Sequence, residues 1–126
     1  MVSAKEWNQT VLSVEAATDI AEGVIVKIAS GKAAIAGTVT DRILGVTRDS
    51  AKAGETVPVV TAGVATVNVG GTIAEGALVG TTVTTGKGKS IAAGTDITQY
   101  IVGQALEAGV SGDFVSVLLT IGGRAA

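Results

Sequence analysis

The sequence has no cysteine and no histidine, and only one residue each of methionine, proline, tryptophan, tyrosine and phenylalanine. Without cysteine there is no thiol nucleophile, no disulfide framework and no zinc site of the Cys/His type. Without histidine no imidazole can shuttle protons. Three aromatics in 126 residues give a core few bulky anchors. Basic charge is also scarce: nine Lys and Arg stand against eleven Asp and Glu, for a net charge of −2. That balance leaves no footprint for nucleic acid, whose phosphates need clustered cations. No secretory leader is expected, since Lys5, Glu6, Asn8 and Gln9 interrupt Met1–Thr10 where an apolar stretch belongs. Between Glu55 and Glu75 run 19 uncharged residues, but Pro58, Gly63, Asn68, Gly70 and Gly71 break them up. A membrane helix needs about 20 consecutive apolar residues, so this run reads as two strands and a turn, and no membrane partner is expected.

What the chain does have is 20 Ala, 19 Val, 18 Gly and 16 Thr. Val and Thr are stiff at the β-carbon and suit a pleated surface. Glycine every few residues suits turns and bulges and weakens helices. Strands are predicted at Val11–Glu15, Val24–Ala29, Lys32–Ala36, Ile43–Thr47 and Thr56–Thr61, then at Val64–Val69, Ala77–Thr84, Ser90–Ala92, Tyr100–Leu106 and Phe114–Ile121. Single helical turns are predicted at Ala51–Ala53 and Asp96–Gln99. Short strands at about 8–12-residue spacing indicate an all-β fold, a small sandwich or barrel of about ten strands.

The chain also repeats itself. Ile20-Ala21-Glu22-Gly23 recurs as Ile73-Ala74-Glu75-Gly76, an offset of 53. Ile43-Leu44-Gly45 recurs as Ile101-Val102-Gly103, Gly54-Glu55 as Gly112-Asp113, and Val57 and Val59 as Val115 and Val117, all at an offset of 58. The change of offset implies five extra residues in the second copy, expected around the Thr85–Thr95 hairpin. The expected organisation is an N-terminal arm or first strand over 1–16, followed by one β domain over 17–126. That domain is built of a pseudo-duplicated half-unit, about 17–69 and 70–126. Ala and Val remove little apolar surface each, so a core this poor in large residues is thin for its length, at about 25 cal/mol per Å². Burial against neighbours would help such a chain, which favours a component of an assembly.

The chemistry-bearing candidates are weak. Gly86-Lys87 precedes Gly88 rather than Ser or Thr. Gly88-Lys89-Ser90 ends correctly for a phosphate loop but has Val83 where the first glycine belongs. Both read as a hairpin tip. Asp41, Asp49, Glu55, Asp96, Glu107 and Asp113 fall at predicted turns or strand ends, where two could meet as in a glycosidase, although sugar sites usually stack their rings on aromatics. No EF-hand calcium loop is present. Gly31-Lys32-Ala33 partly matches the Asp-Lys-Ala of lipoyl-carrier domains, but the acidic residue is missing. No cofactor and no metal site is expected. Trp7 in the distinctive N-terminal segment, with Val11 and Leu12 after it, is the candidate interface set, because an exposed Trp at a contact often dominates affinity.

The order of landmarks resembles the capsid-cement, or head-decoration, proteins of tailed bacteriophages. The stretches that carry the likeness are Thr18–Val26, Ile43–Val46, Ala53–Val59 with Gly63-Val64, Ile73–Gly76, Ile101–Ala105 and Val115–Leu119, spanning roughly Ala17 to Ile121. Where that family more often has Gly-Asp before the second strand pair, this chain has Glu22-Gly23 and Glu75-Gly76. The resemblance implies a virion structural protein without catalytic activity. It implies binding to the outer surface of an assembled icosahedral head, bridging of major capsid protein subunits, and a homo-oligomer with a trimer favoured. Such a protein is made in the host cytoplasm and resides on the capsid exterior, and Trp7, Val11 and Leu12 become capsid- or subunit-interface candidates. The alternative reading is a small β-rich ligand- or glycan-binding module. A hydrolase using paired turn carboxylates is a third.

Overall fold

Alternating small β-branched residues form ten strands in the computed structural model, which describes residues 9–121 apart from 83, 97 and 98, together with residue 123. They are β1 (Thr10–Glu15), β2 (Ile25–Ala29), β3 (Lys32–Ile35), β4 (Gly45–Thr47) and β5 (Thr56–Ala62), then β6 (Val64–Asn68), β7 (Leu78–Thr81), β8 (Gly88–Ile91), β9 (Gly103–Ala105) and β10 (Phe114–Leu119). No helix occurs among the described residues. The helical turn expected at Ala51–Ala53 is instead a bridge and a turn, because Ala51 exchanges backbone hydrogen bonds with Ile20.

The strands make two five-stranded antiparallel sheets in a sandwich-like, all-β arrangement, with orders β1-β5-β4-β2-β3 and β6-β10-β9-β7-β8. Adding five to each label of the first order gives the second, so the duplication seen in the sequence is also a duplication of topology. The registers agree. Val26 pairs with Gly45 as Val79 pairs with Gly103, and Thr47 pairs with Val59 as Ala105 pairs with Val117. Each sheet curls until its edges approach: Ala16 bridges Ala33 in the first, and Val69 bridges Gly88 in the second. The chain changes sheet at Gly63, whose φ of 97° permits the tight reversal between β5 and β6.

The five extra residues divide between two places. The turn joining β2 to β3 is Ser30-Gly31, with φ values of 52° and 75°, as a two-residue type I′ turn requires. Its counterpart between Thr82 and Lys87 is longer by two residues, and the loop after β8 is longer than the loop after β3 by three.

Alternation assigns the core. In the first sheet Val24, Val26, Val57 and Val59 point inward and pack with Ala16, Ile20 and Ala33. The intervening residues Ile25, Val46 and Val60 point the other way, yet they are fully buried, because they join a larger cluster with Ala65, Val67, Val79, Val115 and Val117 of the second sheet. One sheet therefore has apolar side chains on both faces. Among the described residues, three backbone hydrogen bonds tie the seam: Gly86 O accepts from Ile25 N at 2.7 Å, Gly37 O from Thr84 N at 3.0 Å, and Gly23 O from Asn68 N at 2.9 Å.

Gly86 shows why the seam needs glycine. Its φ is 65°, and a Cβ there would lie 2.7 Å from Ile25 O and 2.8 Å from Val24 Cγ1. Gly31 has a similar φ of 75° but open space around it. Gly86→Ala is therefore expected to cost about 2–4 kcal/mol, combining left-handed strain with overpacking, whereas Gly31→Ala costs only the strain, about 1–2 kcal/mol. Urea unfolding of both variants checks the difference. Equal losses would show that the hairpin tip is not wedged into the first sheet.

Candidate functional site

The turn carboxylates are the candidates for enzymatic chemistry. Each accepts a hydrogen bond from a nearby backbone amide: Asp49 from Ser50, Glu55 from Lys52, Asp96 from Ala92, Glu107 from Ser116 and Asp113 from Val110, at 2.8–3.0 Å. Glu55 and Asp113 occupy equivalent turns of the two halves and do the same job there. These acids fix loops by offering the backbone an acceptor. No group of three or more metal-ligating side chains is formed among the described residues.

Asp41 is the most engaged acid. Its Oδ2 accepts from Gly37 N at 2.8 Å, from Thr38 N at 2.9 Å and from Lys27 Nζ at 3.1 Å. Burial, the largest influence, would raise its pKa. The Thr38 amide, the Lys27 ammonium and the Gly37 amide together outweigh that and hold the carboxyl below its ordinary value. Asp96, which accepts from Ala92 N, stands four residues after its amide donor just as Asp41 stands four after Gly37. The two loops are thus closed by the same device.

The other candidates are also absorbed by the fold. Lys32 pairs with Glu15 at 3.3 Å across the β1–β3 closure, an exposed pair of small energetic weight. Gly86-Lys87-Gly88 is the end of the hairpin that docks on β2. The Arg42 guanidinium lies 5.9 Å from the centroid of the Tyr100 ring, and the Phe114 ring rests against Gly23. An open hollow of ≈ 390 Å³ is lined by Asp19, Ala21, Ser50, Lys52 and Glu55 among others. Its acids Asp19 and Glu55 accept from the Ala53 and Lys52 amides at 2.9 and 2.8 Å.

What remains is apolar surface. Val11 and Leu12 lie on β1, both exposed. Trp7, the third member of the expected interface set, lies outside the described residues. Gln9 carries the chain past the start of β6, where its Nε2 donates to Val64 O at 3.1 Å. The sequence reading missed Ile28, at the end of β2 beside the first hairpin turn, and Phe114 and Leu118 on the outward face of β10, all exposed. Alternation held the signal for the last two, since one precedes the inward Val115 and the other follows the inward Val117. The largely apolar run Phe114–Leu119 concealed it.

The profile of the phage cement protein family matches residues 5–121. The fold is similar to a solved structure, the head fiber gp8.5 N base in bacteriophage phi29, with a TM-score of 0.68 and 16% sequence identity, covering 89% of this chain and 94% of that one. No curated protein sequence matches the chain.

The Asp41 cluster makes a pH prediction. A carboxyl whose folded pKa is depressed contributes stability above its unfolded value, near 3.8, and that contribution is lost as pH falls through the lower folded value. Wild type should therefore lose stability steeply on acidification below about pH 4. Asp41→Asn should be less stable at pH 7 and show a shallower acid limb in thermal melts. Parallel acid limbs would contradict this role.

Proposed function

The chain belongs to the phage cement protein family and is a structural component of the phage head, and from that premise we propose that it cements the head by bridging neighbouring subunits of the major capsid protein on the outer surface of the assembled shell. The observation that carries this reading is the family match across 5–121. The disposition of the polar groups supports it. The turn carboxylates each accept from a backbone amide and so serve loop geometry, in keeping with a chain that acts by contact. The working unit is a homotrimer made in the host cytoplasm, in which each chain is one β domain of two similar halves behind an N-terminal arm or first strand. Trp7, Val11 and Leu12 lie at its contacts with the capsid or with a neighbouring subunit.

The physics of such a role is linkage. A ligand that binds the assembled shell and not its separated parts stabilises the shell by mass action. A contact near the size of a standard interface, about 800 Å² per partner, is enough, because it recurs at many positions and each bound trimer engages several subunits at once. A thin Val and Ala core suits a part whose stability is completed on the assembly.

Heads lacking this protein should release DNA at a lower temperature than complete heads. Adding back the purified chain should restore the threshold in a saturable way, read by a DNA-binding dye during a thermal ramp. Saturable binding that leaves the release temperature unchanged would separate attachment from cementing and contradict the proposal.

A further inference from the structure

The two halves of the chain meet through unlike surfaces. The first half contributes the outward face of β2, β4 and β5, carrying Ile25, Val46 and Val60. The second half contributes the mouth of its curled sheet, where β6 and the tip of the β7–β8 hairpin take that face: β6 packs on β4, β10 on β5, and Gly86 on Ile25. Because the halves share one topology and one register, each half possesses both surfaces and uses only one of them within the chain. The repeat offsets locate the unused pair. Leu118 is the counterpart of Val60, and Leu12 that of Ala65. The used members are 1% exposed, and the unused ones are 40% and 45% exposed. Around them, Leu78 stands where the first half has Ile25, in the row that runs through Gln104 to Leu118, and is half-buried where Ile25 is fully buried; Ile28, exposed beside the first hairpin turn, is the counterpart of the buried Thr81.

We infer that the mouth of the first half, at Leu12 and Ile28, takes the outward face of the second half, at Leu118 and Leu78, of a second copy of this chain. The contact between copies thus repeats the contact made inside each copy. The occupant follows from continuity with the internal interface: each unused surface is the structural counterpart of one that already binds its complement within the chain. Such contacts are head-to-tail, and they close into a ring when the rotation allows. A ring of three chains would place six halves in sequence. This inference rests on the homo-oligomer reading above and gives it a geometry. Gln104 stands where the internal seam has Val46, so the joint between chains is less apolar than the seam within a chain and is the one that opens first on dilution.

The test uses the full chain in analytical ultracentrifugation. Wild type should sediment above the single-chain mass. Leu12→Asp and Leu118→Asp should each sediment as single chains with an unchanged β-type circular dichroism spectrum. Their equimolar mixture should form a two-chain species, because Leu12 of one variant meets Leu118 of the other and one joint is intact. Leu12→Ser and Leu118→Gln replace any variant that does not fold. Wild-type mass in both variants, or a mixture that stays single-chain, overturns this docking mode and leaves the oligomer standing. A single-chain wild type overturns both readings, and if it forms oligomers only on removal of residues 1–8, the mouth belongs to that segment. Loss of head binding by Leu118→Asp at unchanged mass assigns the face to the capsid protein and also overturns the inference.

Discussion

The contact between the two sheets governs this structure. Ile25, Val46 and Val60 point away from the core of their own sheet and would be costly exposed apolar surface if the second half did not cover them. Covering them joins the interior of the second sheet to the outer face of the first, so most of the largest buried side chains fall in one continuous cluster. The composition fits this demand. Side chains no larger than Val and Ile let a β-sheet mouth come close to another sheet's face, and Gly86 and Gly23 allow two backbones to approach where a Cβ would collide.

Much of this was legible in the residues. Alternating Val and Thr between glycines located all ten strands, and the recurring Ile-Ala-Glu-Gly turns revealed the doubling, since Gly23 and Gly76 both take the positive φ that their turns require. What escaped is equally physical. The first strand of each half does not advertise its kinship, because Val11-Leu12-Ser13 faces solvent where Val64-Ala65-Thr66 enters the seam. The two strands have different surroundings and different residues, so the landmarks begin a repeat one strand later than the change of sheet at Gly63. The surplus length of the second half was sought in one hairpin and is shared between that hairpin, whose tip docks on the first half, and the loop after it. Glu55 and Asp113 were seen as turn residues, but only geometry shows which amides they hold.

Function was legible in a different way. The missing residue types removed whole classes of chemistry, and the order of turns pointed to the cement proteins, to which the family profile assigns residues 5–121. The surface proposed for the contact between copies was legible only in part: Leu12 was among the sequence candidates, whereas Ile28 and Leu118 look like core residues in any linear reading. Ile28 and Leu118 stand out only when each is set beside its buried counterpart in the other half, Thr81 and Val60. A domain made of one unit used twice thus displays, at its free ends, the complement of what it has already joined. That property suits a protein that holds neighbouring parts of a shell together.

The most direct measurement is an electron cryomicroscopy map of decorated heads at side-chain resolution. Chains are expected on the outer surface of the shell, touching more than one capsid subunit, with β1 of each chain lying against the outward face of β10 in the next. Separate copies each resting on a single capsid subunit, or chains lining the inside of the shell, would contradict it.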